Sequence, residues 1–294
     1  MKNEECSKYI AVLTIAGSDC SGGAGIQADI KTISALGCYA ASAITAVTVQ
    51  NTQGVTAVHA VPPEIVAGQI RAVMDDIKPK AVKIGMVNDA DTIKAIADTL
   101  ADYDIENINI VVDPVMVSTS GSKLMQDDAI KVFIEKLLPM STLITPNIYE
   151  AEILAGKKIT DEESMNDVAG IILSKRAGAV LIKGGHIEGE KKIDMLYCPV
   201  RKTESHESEL TAMFGDSFES ETVETRNTHG PGCTLSAAIA SNLAMGLGIN
   251  QAIDKAKYWL TSALIAGAEV EIGSGHGPVN HFYAPKTMRI IYDD

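Results

Sequence analysis

Six apolar runs of strand length, "IAVLTIAG", "ASAITAVTV", "AVKIGMV", "INIVVDPVMV", "TLITPN" and "AVLIKGG", recur along the chain with helix-period segments between them. The runs are apolar on both sides of the pleat, so both faces of each strand need cover. Segments such as "GIQADIKTISALG", "PPEIVAGQIRAVMDD" and "DDAIKVFIEKLLP" are long enough to supply it as helices. The pattern predicts an α/β fold, a doubly wound and mainly parallel sheet with helices on both faces. Ligands of such sheets bind beyond the carboxyl ends of the strands. The residues that matter most therefore follow each run: Gly17 to Asp19, Gln50 to Thr52, Gly85 and Met86, Asp113 to Met116, Asn147 to Glu150, and Lys183 to His186.

Composition narrows what those residues can meet. A formal net charge of −13, with no basic face visible in the sequence, argues against a nucleic-acid partner. Any phosphate has to be held locally, by backbone amides, a few lysines or a metal ion. The five cysteines, Cys6, Cys20, Cys38, Cys198 and Cys233, lack the spacing of a zinc site or a disulfide framework. Neither a signal peptide nor an apolar stretch of roughly 18 residues is visible, so no membrane partner is expected and the location predicted is cytoplasmic. With 294 residues and 46% hydrophobic content, one large domain over 1–294 is expected. From Lys202 to Thr225 the chain turns rich in Ser, Thr and Glu, with one apolar pair at Met213 and Phe214. That stretch reads as a surface excursion, either a solvated loop or a flap over the site.

Three motifs carry chemistry. "AGSDCSGGAGIQAD" follows a strand and opens a helix, yet no acidic residue stands about 20 positions on to hold a ribose, and the Lys-Ser/Thr of a P-loop is missing. Asp19 and Asp29 would make it a small-molecule pocket; a glycine turn that only lets a helix pack would read the same way. In "TPNIYEAEIL", Asn147 and Glu150 lie one turn apart, where their oxygens could hold hydrated Mg²⁺ or simply begin a helix. Asp113, after "INIVV", is a second carboxylate for the phosphate region. In "NTHGPGCTLSAAIASNLAMG", Gly230 and Gly232 let backbone approach a ligand, and the amides of the helix that follows form an anion hole. Cys233 falls in its first turn, where the helix dipole is expected to lower the thiol pKa and make it a base or charge-stabilising group; a buried structural cysteine is the plainer reading.

Together with "AVTVQNTQGV", "VVDPVMVSTSG", "IKGGH" and the terminal "GHGPVNHF", these motifs resemble the hydroxymethylpyrimidine and phosphomethylpyrimidine kinases of thiamin biosynthesis, members of the ribokinase-like superfamily. The resemblance spans nearly the whole chain. It implies transfer of phosphate from ATP, with Mg²⁺, to 4-amino-5-hydroxymethyl-2-methylpyrimidine and then to its monophosphate, and a homodimer. Carried over by position, Gly17, Asp29, Gln50, Met86 and Val115 match the pyrimidine pocket. Asn147 and Glu150 match the magnesium motif; Asp113, Lys183, Gly184 and Thr228 match the nucleotide side; Gly230, Gly232 and Cys233 match the catalytic loop. Pro231 departs from the usual threonine and removes a backbone donor, so the hole is left with Gly232, Cys233 and Thr234. Cys20 stands where proline or serine is usual, and the 202–225 excursion is longer than usual. A pyridoxal kinase of the same superfamily, a cysteine hydrolase pairing Cys233 with His229, and a vitamin-binding sensor are the other readings these motifs allow.

Overall fold

The computed structural model describes residues 7–117, 124–184, 191–201 and 210–292. Its first half runs β1 (Ser7–Tyr9), β2 (Ala11–Asp19), α1 (Gly25–Ala35), β3 (Tyr39–Asn51), β4 (Gly54–Ala60), α2 (Pro63–Asp76), β5 (Ala81–Ile84), α3 (Ala90–Leu100) and β6 (Asn109–Val112). The second half adds α4 (Asp127–Lys136), β7 (Leu143–Ile144), α5 (Ile148–Ala155), α6 (Glu162–Ser174), β8 (Val180–Ile182), β9 (Lys191–Arg201), β10 (Leu210–Glu221), α7 (Pro231–Ala244), α8 (Ile249–Gly267) and β11 (Ile290–Tyr292).

Nine strands form one sheet in the order β10-β9-β8-β7-β6-β5-β2-β3-β4. The stretch from β8 to β3 is parallel throughout; β5 to β8 lie within apolar runs, and β2 and β3 contain most of theirs and run a few residues past them. Alternate residues of these strands face two separate cores. Leu13, Ile15, Val82, Ile110 and Val112 pack under α2 to α6, whereas Val12, Ala81, Val111 and Leu143 pack under α1, α7 and α8. Helices on both faces are what strands without polar alternation require.

Antiparallel strands close both edges. β4 pairs with β3 on one side, and β9 and β10 extend the other. Here the expectation of a surface excursion over 202–225 needs correction: Leu210–Glu221 is strand β10, and Phe218 on it is buried in the α1/α7/α8 core. An edge strand buries one face only, so "DSFESE" keeps Glu219 and Glu221 on the side away from Phe218 and shows none of the continuous apolar character that marks the inner strands. Positions 202–209, like His186, lie outside the described residues. A two-stranded ribbon of β1 and β11 stands apart from the main sheet. Among the described residues, no helix is long and apolar enough to cross a membrane.

Candidate active site

A cavity of about 1310 Å³ opens at the carboxyl ends of the parallel strands. The end of β2 brings Gly17 and Asp19 to it, the end of β3 Gln50, and the turns after β5, β6, β7 and β8 bring Met86, Asp113, Asn147 with Glu150, and Lys183. The α7 N-terminus, Gly230 to Cys233, closes the far side.

One end of the cavity is apolar. Met86 packs with Ala46, Leu124 and Val115 in a small cluster separate from both cores, a wall suited to a flat ring. Gly17 belongs to that wall: a Cβ there would come within 2.7 Å of the Met86 methyl, so the backbone itself is the surface. Gln50 supplies the polar edge, its Oε1 accepting from Thr48 Oγ1 at 3.2 Å and its Nε2 lying 3.2 Å from His229 Nε2.

The two glycine-rich motifs of the sequence interlock. Gly230 is the α7 N-cap at φ 83°, and a Cβ on it would overlap the carbonyl of Gly23. His229, 7% exposed, fills the space that a side chain on Gly23 would take, and its Nε2 bonds Asp19 Oδ2 at 2.8 Å. The same carboxylate accepts the amides of Ser21, Gly23 and Ala24 and the Ser21 hydroxyl. Burial would raise the Asp19 pKa, but the bonds from His229, Ser21 and Ala24 outweigh it and hold the group below the usual carboxylate range. Asp19 is thus the anion that ties loop 19–25 to loop 227–230.

Charge concentrates beneath the α7 N-terminus. Lys183 Nζ bonds Asp113 Oδ1 at 2.9 Å, and Asp113 also accepts from Thr145 and Ser236 at 3.3 Å. Burial pushes the Asp113 pKa up, yet Lys183 and Lys83 together bring it below its ordinary value. A Cβ added to Gly232 would stand 3.5 Å from Lys183 Nζ, so the ammonium and the first free amides of α7 look into the same space. Glu150 is 4% exposed, and burial raises its pKa to about 7 despite the nearby Lys183. It shares a capping box with Asn147: the Asn147 amide donates to Glu150 Oε2, and the Glu150 amide to Asn147 Oδ1, both at 2.8 Å.

A family model described as phosphomethylpyrimidine kinase matches residues 19–280. A hydroxymethylpyrimidine/phosphomethylpyrimidine kinase of Rhizobium meliloti (strain 1021) is 48% identical over 275 residues, covering 92% of this chain and 96% of that protein. The chain belongs to the phosphomethylpyrimidine kinase family. Among solved structures, phosphomethylpyrimidine kinase from Clostridium difficile 630 superposes with a TM-score of 0.72 at 44% identity, over 87% of this chain and 99% of that one. Pyridoxal kinase from Staphylococcus aureus in complex with pyridoxal gives 0.81 at 30% identity, over 97% and 99%. The fold is ribokinase-like, as the sequence resemblance implied.

Against this family frame, the structure brings most of the sequence-derived site residues together. Gly17, Gln50, Met86, Val115, Asp113, Lys183, Asn147, Glu150, Thr228, Gly230, Gly232 and Cys233 all line the cavity. Two expected residues stand behind its wall. Asp29 is fully buried, its carboxylate held by Lys83 Nζ at 2.8 and 3.0 Å and by the Thr14 hydroxyl at 2.6 Å, and it is not part of the cavity's lining. Gly184 presses against the Ile193 carbonyl of β9 and donates its amide to Asp194.

The expected lowering of the Cys233 thiol pKa is also overturned. Burial pushes it up to about 11, and the positive charge of Lys83 does not compensate. Thr234, expected to serve the hole, spends its amide on the Gly230 carbonyl, which leaves Gly232 and Cys233. The hydrolase reading gives way instead to the family, whose relatives at high coverage are named kinases. Sequence reasoning passed over Lys83 and the Lys257–Asp194 pair, 2.7 Å apart, although a lone lysine inside the apolar "AVKIGMV" was the available signal.

Proposed function

We propose that the chain transfers the γ-phosphoryl group of ATP to 4-amino-5-hydroxymethyl-2-methylpyrimidine and then phosphorylates the monophosphate to the diphosphate, in thiamin biosynthesis. The observation that carries this reading is the layout of the cavity. An apolar ring wall with a polar edge at Gln50 lies at one end, and the α7 amides with Lys183 lie beyond it.

Gln50 would bond the aminopyrimidine edge, since a side-chain amide offers both a donor and an acceptor to ring nitrogen and exocyclic amine. The Gly232 and Cys233 amides would receive the moving phosphoryl, with Lys183 balancing charge beside it. Asp113 holds Lys183 in place, and Thr228, on the cavity wall, would meet a nucleotide oxygen. Cys233, in its thiolate form, would stand next to the acceptor hydroxyl and take its proton as the new bond forms.

The donors present fit magnesium. Among the described residues no group of three His, Cys, Asp or Glu could cage an ion. Burial disfavours the Glu150 anion, a cost that a cation bound beside it would offset, and Mg²⁺ keeps most of its waters, so one carboxylate with the Asn147 amide oxygen would suffice. Bound there with ATP, the ion would neutralise phosphate charge. The proposal extends to one domain over 1–294, a cytoplasmic location and a homodimer.

The better superposition on a pyridoxal kinase, 0.81 against 0.72, favours a second reading in which pyridoxal is the acceptor. ATP consumption measured side by side with hydroxymethylpyrimidine, its monophosphate and pyridoxal tests both. Turnover on the first two and little on pyridoxal is expected; turnover on pyridoxal alone would replace the first reading by the second, and ADP release with none of them would end both.

A further inference from the structure

The segment from Gly275 to His281 lies along the loop that leads into α7. His229 donates its amide to the Gly277 carbonyl at 3.0 Å and pairs with Pro278 in a parallel bridge, while Thr228 Oγ1 lies 3.1 Å from His276 Nδ1. At the far end of this strap, His281 is 4% exposed, with Nε2 3.0 Å from Thr234 Oγ1. The Thr234 hydroxyl lies 2.9 Å from the Gly230 carbonyl, which also takes the Thr234 amide at 2.9 Å.

These contacts fix every hydrogen in the chain. A carbonyl only accepts, so the Thr234 hydroxyl hydrogen points at Gly230, and the Thr234 oxygen must accept from His281 Nε2–H. Burial, reinforced by the positive charge of Lys31, holds His281 down to about 4, so at neutral pH the ring is uncharged with its one hydrogen on Nε2. The acceptor at the end of the relay is no ordinary carbonyl. It belongs to the left-handed N-cap of the helix whose Gly232 and Cys233 amides face the cavity, in a first turn where Pro231 has no amide to give.

We propose that His281 is a positioning residue for phosphoryl transfer: through the Thr234 hydroxyl it fixes the Gly230 carbonyl, and with it the turn that presents the Gly232 and Cys233 amides. The proposal rests on the kinase reading of this site. Small misplacements of such donors cost rate more than binding, because their work is done in the transition state.

His281→Phe keeps the ring volume and removes the N–H; it should lower kcat on hydroxymethylpyrimidine about 10–100-fold with KM for the pyrimidine changed by about two-fold at most. His281→Gln, which can return an N–H near the same place, should recover most of the loss. Thr234→Val cuts the relay at its middle and should copy His281→Phe, with the double variant no worse than either single one. Losses that multiply in the double variant, or a His281→Phe enzyme with wild-type kcat, would overturn the proposal. A second readout needs no turnover: amide resonances of Gly232 and Cys233 titrated with inorganic phosphate should saturate at higher phosphate in His281→Phe than in the parent, and near the parent value in His281→Gln. Equal titrations in all three proteins count against the relay. An inactive parent whose Gly232 and Cys233 amides still respond to phosphate in this order would sink the kinase reading and leave the His281 assignment standing.

Discussion

Glu150 and Cys233 are the two residues whose ionisation the site displaces most usefully. The folded Glu150 pKa, about 7, lies above the ordinary 4.5, so between those values the folded chain holds a proton that the unfolded chain has released. Stability contributed by this group is therefore present at low pH and lost as pH rises through that window. Glu150→Gln preserves a capping box with Asn147 and removes the charge. Without magnesium it should be more stable than the parent at pH 8 by about 1–3 kcal/mol and nearly equal at pH 5, read by urea unfolding. Superimposable pH profiles would show that Glu150 finds enough solvent or cation to stay charged. The same substitution should raise the magnesium needed for half-maximal turnover. Cys233, at about 11, is almost wholly protonated at neutral pH, so a base role gives the first transfer a rate that climbs with pH between 7 and 9. The monophosphate, with a second pKa near 6, needs no such base. The ratio of first to second transfer in single-turnover assays should thus rise with pH, and Cys233→Ala should flatten it and cut the first step by about 10²–10⁴. A flat ratio in the parent would remove the thiol from proton transfer.

Elements explain why the proposed ring pocket, anion hole and cation motif meet, and how far that was legible. The apolar runs were readable as inner strands because two covered faces leave a continuous apolar record, and their carboxyl ends then located the cavity. What escaped was set by contacts distant in sequence. Asp29 and Lys83 pair across α1 and β5, 54 positions apart, and nothing in the local pattern of "GIQAD" says that its carboxylate is spoken for. Removing one partner of so buried a pair leaves an uncompensated charge, at a cost of about 3–5 kcal/mol, which gives Asp29 a structural role of its own. The polar strand β10 was hidden for the opposite reason: an edge strand with one face in solvent looks like loop. At the head of α7, Pro231 sits at the first helical position, where its fixed φ suits the helix and the lost donor was never needed inside it. Pro231→Thr should therefore lower stability by about 0.4–1 kcal/mol through a freer unfolded chain, while turnover is no lower than the parent's. A tenfold fall in kcat with an unchanged fold would mean that the ring itself shapes the hole.

For the molecule as a whole, the exposed apolar residues are not spread evenly. Val47 is 46% and Val49 59% exposed on β3, and their cross-strand partners on β4, His59 and Ala57, share that face. If the proposed homodimer uses this edge, the partner subunit covers these valines. Val49→Lys should then shift sedimentation from dimer towards monomer, and a monomeric parent at micromolar concentration would dispose of the idea.

The β1–β11 ribbon has a consequence of another kind. Ser7–Tyr9 and Ile290–Tyr292 lie side by side, and Arg289 donates its amide to Gly37, in the turn between α1 and β3. That turn lies at the amino ends of the inner strands, the pole of the sheet turned away from the cavity. Incoming and outgoing polypeptide share one doorway there. Because Ser7 and Tyr292 face one another, a short turn linking Tyr292 directly to Ser7 would make a circular chain that could be reopened elsewhere without moving the pole that holds the cavity.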